Sequence, residues 1–433
     1  MRFLLTRLLC VGLPSLAVVA RIAAQESYRN PIPSITRILD APALPAVLPS
    51  LDGSKLLLLE RPGLPSIAQL AGPELRLAGE RINPRNNAQS RLPTFSTLIV
   101  QPVPKGDPRR IVVPWHARVG EAMWSPNGDK VAFTLVEDGG VSLWLADASS
   151  GAIRMLAGPT LNAAFGRPCR WLPSGSGLIC LRIVLDRTAP PEVSPIPSGP
   201  LIQESEGKRA SPSPEGLLQS IRDEALFEYY FSNQIVQIPL SGNDRPIGGP
   251  GLHSSVEVSP DGRYLLVETL HRPFSRAVSW RRFPRKTEVW DFASGSVLKA
   301  IADVAAQENP SSSSDAVVMG PRSVAWRTDV PASICWSEAL DGGDPQTSAR
   351  LRDRILLLDA PFTGNPSTVV DLEYRTRDIV WGGRVALVSE EWQKARRSRT
   401  WLVDLRQPGS AGRQLSDLSG QDGSGDLGRF LNR

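Results

Sequence analysis

The stretch Val256-Glu-Val-Ser-Pro-Asp-Gly-Arg-Tyr-Leu-Leu-Val-Glu268 decides the fold, because its pattern recurs along the chain. Apolar and β-forming residues flank a Pro-Asp-Gly turn, in which Pro260 presets φ and Gly262 accepts a positive φ. The pattern therefore predicts two antiparallel strands joined by a tight turn. Variants of this hairpin occupy residues 48–59, 124–133 and 171–180, and weaker ones occupy 326–336 and 381–388.

A second repeated element follows most of these hairpins. It is a short apolar strand that often ends in Asp before a Ser-Gly or similar turn, with its clearest copies at Leu143–Gly151, Val289–Gly295, Ile355–Asp359 and Trp401–Asp404. A hairpin, a third strand and a fourth strand after the Gly turn form a four-stranded sheet, which is the repeating unit of a β-propeller. A β-sandwich also has short strands and regular turns, but it has no reason to repeat two kinds of turn in one order. We therefore predict an all-β fold, a β-propeller with about six four-stranded blades of a seven- or eight-bladed ring.

The N-terminus has the pattern of an export signal. Residues 1–24 combine a basic start, an apolar run over Leu8–Ala20 and small residues before Gln25. The run is shorter than the ~20 apolar residues that a membrane-spanning helix needs. We expect a periplasmic or extracellular protein without a stable membrane anchor, a propeller over 25–415 and a flexible tail over 416–433.

Charge and cysteine content exclude several classes of function. The formal net charge of +5 falls to +2 when the three arginines of the signal (Arg2, Arg7 and Arg21) are removed, so we expect no nucleic-acid partner. Cys169 and Cys180 flank a turn on strands that should pair, so a disulfide is conceivable, and simple packing of buried thiols is the alternative. No Cys-x-x-Cys or zinc-type spacing occurs, so we expect neither a metal nor a cofactor.

The third blade carries a long insertion over residues 186–230. Its first part is rich in Pro, Ser and Gly and is expected to be extended. Residues 214–230 show apolar side chains at helical spacing, which predicts one helix. Insertions of this size usually lie at one mouth of a propeller, where ligands bind.

Several segments together resemble a known family. The chain is similar to the N-terminal propeller of the prolyl oligopeptidase (S9) family of serine peptidases, most closely to its glutamyl-endopeptidase-like branch. The resemblance covers about residues 28–415 and is carried by the segments Ile38–Pro42, Glu60–Ala71, Leu77–Pro84, Leu161–Ala164, His271–Ser275, Arg282–Lys286, Gly320–Arg327, Asp341–Asp344 and Arg399–Leu402. It implies a propeller that caps an α/β-hydrolase domain and restricts which peptides reach the active site.

The sequence departs from that family at the catalytic motif. A nucleophile elbow requires Gly-x-Ser-x-Gly, and no serine of this chain has that spacing; Gly140-Val-Ser-Leu-Trp144 lacks the second glycine. No nucleophile-elbow serine accompanies His116, His253 or His271, and nothing local supplies a triad, so we predict structural or loop roles for these histidines. We expect no catalytic residue in this chain, a hydrolase domain that it does not encode, and no activity of the chain alone, as for a truncated or split gene product.

Basic residues supply the candidate binding site. One cluster lies around 276–286, and a second contains Lys394, Arg396, Arg397 and Arg399. Solvated loop charge is the ordinary interpretation of both. The sharper hypothesis is that a propeller mouth binds the acidic side chain of a peptide, to which planar guanidinium groups are well suited. The residues that we predict to converge there are His271, Arg272, Arg276, Arg282 and Arg285.

Three functions compete at this point. The first is a non-catalytic propeller portion of an exported S9-type peptidase, which gates or selects peptides for a hydrolase domain in cis or in trans. The second is a free-standing propeller that binds a peptide or protein partner. An independent propeller enzyme would need an acid or metal cluster, which the sequence does not show.

Overall fold

The computed structural model describes residues 31–39, 41, 43–63, 67–114, 118–191, 216–308, 313–407, 409 and 412–419. Contacts divide the chain into a unit over residues 1–43 and a second unit over 44–433. Helix α1 (Pro33–Leu39) belongs to the first unit, and all later elements belong to the second. The predicted export signal over 1–24 lies outside the described residues.

Most of the regular structure in the second unit is β-strand. The N-terminal half contains β1 (Ala46–Pro49), β2 (Lys55–Glu60), α2 (Ile67–Leu70), β3 (Leu75–Leu77), β4 (Glu80–Asn83), β5 (Ala88–Gln89), β6 (Thr97–Pro102), β7 (Arg109–Ile111), β8 (Val119–Trp124), β9 (Lys130–Glu137), β10 (Gly140–Asp147), β11 (Ile153–Ala157), β12 (Cys169–Trp171) and β13 (Gly177–Ile183). The C-terminal half contains α3 (Ile221–Phe231), β14 (Asn233–Pro239), β15 (Arg245–Val258), β16 (Tyr264–Leu270), β17 (Arg285–Asp291), β18 (Val297–Val304), β19 (Arg322–Trp326), β20 (Ser333–Ala339), β21 (Asp353–Asp359), β22 (Ser367–Leu372), β23 (Arg375–Gly382), β24 (Val385–Trp392), β25 (Arg397–Asp404) and β26 (Arg413–Ser419). Two short 3-10 helices lie at Trp280–Arg282 and Gln393–Ala395.

The strands form antiparallel sheets in the order that the repeat predicts. Sheet one has the order β1-β2-β6-β7, sheet two is β8 to β11, sheet five is β19 to β22 and sheet six is β23 to β26. Sheets three and four share the 14-residue strand β15, which pairs with β14 through residues 245–251 and with β16 through residues 252–258. The all-β propeller fold predicted from the sequence is confirmed, and the described residues contain six such sheets.

The repeated hairpin turn is closed by its serine. The backbone N–H five residues after the serine donates to the serine Oγ in sheets one, two and four, as in Lys130 to Ser125 at 2.9 Å and Tyr264 to Ser259 at 3.0 Å. The following glycine has positive φ, +67° at Gly128 and +74° at Gly262, which side-chain-bearing residues rarely adopt. The Ser-Pro-x-Gly pattern is therefore explained by the turn itself.

The repeated tryptophan joins neighbouring sheets. Trp124 ends the innermost strand of sheet two, and its indole N–H donates to the Leu48 carbonyl of sheet one at 2.9 Å. Trp171 donates in the same way from sheet three to Met123 of sheet two at 3.3 Å. Trp326 of sheet five donates to Glu257 of sheet four at 3.4 Å. Each of these tryptophans thus ends a strand and links its own sheet to the preceding sheet by a hydrogen bond.

Apolar clusters fill the spaces between consecutive sheets. Separate buried clusters join sheets one and two, two and three, three and four, four and five, and five and six. Among the described residues, no comparable cluster joins sheet six to sheet one. Burial of alternate strand faces against both neighbours accounts for the short, strongly apolar strands of the sequence.

Several boundaries differ from the sequence-based prediction. Helix α3 begins at Ile221 rather than at 214, because Ser220 caps it: Ser220 accepts the Asp223 N–H, and Asp223 accepts the Ser220 N–H in return. Strand β26 continues to Ser419, past the predicted propeller boundary at 415. The polar part of the 186–230 insertion, over 192–215, lies outside the described residues.

Cys169 and Cys180 are bonded to each other. They face one another across the β12–β13 pair, and both are buried. Cys335 is the free cysteine of the described residues and is also buried, which raises the pKa of its thiol to about 11. Of the two alternatives, a disulfide and simple packing of two thiols, the structure contains the disulfide.

Candidate functional site

The connections between the second and third strands of the sheets define one end of the propeller, here called the insertion face. Its long segments are residues 61–96 in sheet one, 184–232 in sheet three and 271–284 in sheet four. Parts of all three segments pack together into one apolar cluster, here called the cap. The predicted site residues His271, Arg272, Arg276, Arg282 and Arg285 lie in or next to the third segment.

The centre of the cap is aromatic. The Phe227 ring of α3 meets the rings of Phe274 and Phe283 edge-on, with centroids 5.3 and 5.5 Å apart. Trp280 donates its indole N–H to Glu80 at 3.1 Å, which ties sheet four to the insertion of sheet one. Where these segments cross, a Cβ on Gly79 would lie only 2.6 Å from the Cβ of Ser279. The cap therefore holds together insertions from three sheets.

Arg272 and Arg276 bind helix α3. Arg272 donates to Glu224 at 2.7 Å and to Glu228 at 2.8 Å, and Arg276 donates to Glu224 at 3.0 Å. Burial would raise the pKa of Glu224, but the hydrogen bonds and charges of the two arginines outweigh it and hold that pKa below its usual range. These guanidinium groups hold the helix in place, so they are engaged within the protein rather than open to a ligand.

Arg282 and His271 line a large open cavity. Its volume is about 1,120 Å³, and it lies between the insertion-face segments of sheets four and five. His271 is hydrogen-bonded to Asp303 at 2.9 Å. The Arg282 side chain is exposed and has no hydrogen-bond or ion-pair partner within the described ranges. Of the five predicted residues, Arg282 is thus the available cation.

The large cavity also carries acidic groups. Asp303, Glu308 and Asp344 line it together with small apolar residues such as Ala306 and Val317. Three carboxylates against one free guanidinium do not make a basic patch. The lining therefore does not favour every negatively charged ligand. It favours a ligand whose own charges lie opposite groups of the opposite sign.

Arg285 lines a second, smaller cavity. This inner cavity has a volume of about 280 Å³ and lies between the facing surfaces of sheets four and five. Arg285 donates to Glu268 at 3.2 Å and also contacts backbone carbonyls of 280–283. Gln307 and Val318 line both cavities, so the two are neighbours.

The five predicted residues therefore do not share one contact point. Two bind α3, two line the larger cavity and one lines the smaller. The sequence analysis missed Arg322, which lines the inner cavity from sheet five. Arg322 lies in the segment Gly320–Arg327, which carries part of the family resemblance, but nothing in that segment indicates that sheet packing brings Arg322 to the same cavity as Arg285.

An ion-pair network joins sheets five and six on the same face. Arg375 is buried and donates to Asp341 at 2.8 Å and to Asp353 at 3.0 Å, and Arg352 also donates to Asp341 at 2.8 Å. Burial would raise the pKa of Asp341, but the two arginines lower it overall. In the second basic cluster, Arg399 donates to Glu373 and Asp417. These groups act within the protein.

Within the described ranges, no group of His, Cys, Asp and Glu side chains is arranged to hold a metal ion. No described helix has both the length and the apolar character to cross a membrane. His253 is buried between Thr269 and the Gly249 carbonyl, and burial lowers its pKa, which agrees with a structural role. His116 lies outside the described residues.

The fold and face define a class of protein, a β-propeller of four-stranded sheets with a capped insertion face. No protein-family model matches the chain. Two curated relatives align with 95% of it: probable chloroplastic glutamyl endopeptidases of Oryza sativa subsp. japonica, 34% identical, and Arabidopsis thaliana, 35% identical. The alignments cover 46% and 44% of those two proteins, so this chain spans about half the length of the relatives it matches. The resemblance predicted from the sequence, to glutamyl endopeptidases of the prolyl oligopeptidase (S9) family, is confirmed: the chain is similar over 95% of its length to a part of these two proteins.

Solved structures are also similar to the chain. A prolyl endopeptidase gives a TM-score of 0.47 at 12% identity, over 88% of this chain and 44% of that one. The acylaminoacyl peptidase of Pyrococcus horikoshii gives a TM-score of 0.41 at 10% identity, over 88% of this chain and 47% of that one.

Proposed function

We propose that this chain is the substrate-selecting propeller of an exported S9-type peptidase. It admits peptides across the insertion face and presents them to an α/β-hydrolase domain, joined to it in cis or supplied in trans. The chain itself contributes no catalytic residue. Export rests on the pattern of residues 1–24, and N-terminal sequencing of the secreted product should find Gln25 first.

One observation carries the proposal. The Arg282 side chain is exposed, has no partner among the described residues and lines a cavity of about 1,120 Å³ on the insertion face. Ligand pockets of roughly 300–1,000 Å³ hold drug-sized molecules, so a cavity of this size accommodates several residues of a peptide. The similarity to glutamyl endopeptidases makes a peptide with a glutamate the first ligand to test.

The alternative function is a free-standing propeller that binds a peptide or protein and serves no peptidase. The same cavity supports it, so binding alone does not separate the two. The separating experiment adds the hydrolase half of the rice relative to this chain, as a fusion or as a second protein. Under our proposal the added propeller changes which fluorogenic peptides are cleaved; under the alternative it binds peptide but leaves cleavage unchanged.

Binding is measured by calorimetry with an end-blocked peptide that contains one glutamate. We expect Arg282→Gln to weaken binding by about fivefold, since an exposed charge-assisted contact is worth about 1 kcal/mol. Arg263→Gln is the matched control, because the Arg263 side chain pairs within its own hairpin, with Asp261 and Tyr264, and away from both cavities. Equal affinities for the wild-type chain and Arg282→Gln would remove Arg282 from the site.

The isolated chain should cleave none of these peptides. Without an activated serine and its base no acyl-enzyme forms, and removing such groups costs many orders of magnitude in rate. A serine-directed fluorophosphonate probe should leave the protein unlabelled. Labelling that persists after repeated purification would contradict the non-catalytic role.

A further inference from the structure

Sheets one and six each have one apolar face that no other described sheet covers. In sheet two, strand β9 is buried on both faces from Val131 to Val136, because sheets one and three pack against it. The corresponding strands of sheets one and six, β2 and β24, alternate between buried and more exposed residues. An antiparallel sheet with one face in water usually has polar residues on that face. The more exposed faces of sheets one and six are apolar instead.

The apolar residues of these outer faces form rows across the strands. Neighbours in the strand register make up one row in each sheet, Val47, Leu58 and Ile99 in sheet one and Val380, Leu387 and Leu402 in sheet six. Rows of aliphatic side chains are what fills the joints between the other sheets. An apolar surface of this kind is typical of an interaction site rather than of a water-facing sheet.

An arginine on the outermost strand of one sheet contacts the next sheet, here called the rim contact. Arg245 of sheet three donates to the carbonyls of Phe292 and Ala293 in sheet four, at 3.0 and 2.8 Å. Arg154 of sheet two donates to the carbonyl of Leu240 in sheet three at 2.6 Å. In both cases the acceptor lies in the turn between the third and fourth strands of the next sheet. The rim contact therefore ties one sheet to the turn of its neighbour.

The joint of sheets one and two has a longer form of the rim contact. The Nη1 atom of Arg109 lies 3.5 Å from the carbonyl oxygen of Ser150, again in the turn between the third and fourth strands. Arg109 and Arg245 are each the first residue of their strand. The outermost strands of sheets four and five contain no arginine, so their joints are made without this contact.

Arg413 repeats the position of these arginines in sheet six. It is the first residue of the outermost strand β26, and it is the register partner of Leu402. Val403, the next residue along β25, is buried against sheet five, so Leu402 and Arg413 lie on the opposite, outer face. Arg413 is exposed and has no hydrogen-bond or ion-pair partner within the described ranges. The sheet thus presents a rim arginine on the same face as its apolar row.

Sheet one of a second copy is a poor match for this face. Its own apolar row also ends at an exposed arginine, Arg110, so packing it on sheet six would bring two like charges to one rim. Its turn between the third and fourth strands, residues 103–108, also differs from the acceptor turns of sheets two and four. Those two turns run from Asp147 to Gly151 and from Asp291 to Gly295, an Asp-x-x-x-Gly pattern that residues 103–108 lack.

We propose that the outer face of sheet six is the docking surface of a further four-stranded antiparallel sheet, to which Arg413 makes a rim contact. The docked sheet has aliphatic side chains opposite Leu387 and Leu402, and its Asp-x-x-x-Gly turn offers backbone carbonyls to the guanidinium group. Its source is the part of the glutamyl endopeptidase relatives that this chain does not match. This inference does not depend on peptide selection.

The rim contact itself is tested in the isolated chain. Arg245→Gln should lower the urea midpoint of unfolding, because it removes two hydrogen bonds between sheets three and four. Arg413→Gln should leave the midpoint unchanged, because Arg413 has no partner within the described ranges. An equal loss in both variants would mean that Arg413 already contacts this chain, which would overturn the proposal.

Docking is measured by calorimetry between this chain and the part of the rice relative that it does not match. Arg413→Gln should weaken the association about tenfold, because hydrogen bonds from a charged donor are lost. Leu387→Asp should weaken it about a hundredfold or more, because it places a charge in an apolar joint. Arg384→Gln is the control for Arg413, since Arg384 is also exposed but lies in the β23–β24 turn at the hairpin end. Met155→Asp is the control for an added charge, since Met155 is exposed on sheet two.

Each outcome decides for or against the docking surface. Association that weakens in Arg413→Gln and Leu387→Asp but not in the controls supports it, provided that circular dichroism matches the wild type. No association, or equal association in all variants, overturns it. Self-association of the chain that weakens in the same two variants would identify a second copy as the occupant and would also overturn it. Peptide binding at the cavity between sheets four and five should not change in Arg413→Gln, so a failure here leaves peptide selection standing.

Discussion

At the scale of single residues, the candidate arginines differ in whether the protein itself supplies their partners. Arg272, Arg276 and Arg375 are held by carboxylates of the protein, whereas the Arg282 side chain is exposed and has no partner within the described ranges. The sequence identified a basic segment but did not separate these roles, because the partners of Arg272 lie 44 and 48 residues away on α3. Ion-pair partners at that distance in sequence depend on tertiary packing, which no local pattern encodes.

Glu224→Gln should destabilise the cap at neutral pH. The change removes the charge that Arg272 and Arg276 share, and we expect a loss of about 1–2 kcal/mol in the free energy of unfolding. Because the folded-state pKa of Glu224 is lowered, its contribution is present above its unfolded pKa, about 4.3, and is lost as pH falls through the folded value. Urea unfolding at pH 7 and pH 3 should therefore show a smaller difference at pH 3.

Glu228→Gln is the matched control, since the Glu228 side chain is more exposed and, among the described residues, its carboxylate bonds only to Arg272. It should cost less than Glu224→Gln at pH 7. A difference between wild type and Glu224→Gln that is the same at both pH values would refute the ion-pair explanation.

The disulfide gives a second prediction at this scale. The chain without residues 1–24 contains Cys169, Cys180 and Cys335, and two of them are bonded. Thiol titration in guanidinium should therefore find one reactive thiol before reduction and three after it. Both bonded sulfurs belong to buried residues, so the bridge should resist reductant until the protein unfolds. Three thiols without reductant would mean that the bridge does not form.

At the scale of elements, the features that could be predicted from the sequence are those that depend on residues close together in the chain. The hairpins were predictable because a turn serine, a glycine with positive φ and alternating strands all lie within about a dozen residues. The start of α3 was missed because the apolar spacing extends before Ser220, while the capping box begins the helix after it. The sharing of β15 by two sheets was also not predicted, since a long strand with Gly and Pro at 248–251 resembles two strands and a turn.

Trp124→Phe tests the contact between sheets one and two. It keeps an aromatic ring but removes the N–H that donates to Leu48, so we expect a loss of about 1 kcal/mol. Trp144→Phe is the control, because the Trp144 indole bonds to Ser142 of its own strand. Hydrogen exchange should become faster at 46–49 only in Trp124→Phe. Equal exchange in both variants would show that the indole does not join the sheets.

At the scale of the whole molecule, six sheets are joined by five apolar clusters in the described residues. Among the residues that the structure describes, no sheet therefore covers the outer faces of sheets one and six in the way that the other faces are covered. The sequence repeat gave the number of hairpins, but it carried no information on which sheet faces end up covered. Uncovered sheet faces and edges favour association with other chains.

The isolated chain should therefore self-associate or have low solubility. Light scattering across a concentration series should show the mean mass rising above the 47.0 kDa of one chain. Mixing with the part of the rice relative that this chain does not match should reduce the association if that part covers the same faces. A stable, monodisperse monomer would indicate instead that the six sheets close into a ring.

The cap contains contacts between segments that are synthesised at very different times. Trp280 and Glu80, which bond to each other, are 200 residues apart in the chain. At roughly 5–20 residues per second, the ribosome needs roughly 10–40 s to make the second partner after the first. Throughout that interval Leu77 and Ile82, both fully enclosed in the finished cap, have no Phe283 to cover them. The nascent chain therefore exposes apolar surface early in synthesis. Its yield in a cell should depend on whether a chaperone or a secretion factor covers that surface until sheet four is synthesised.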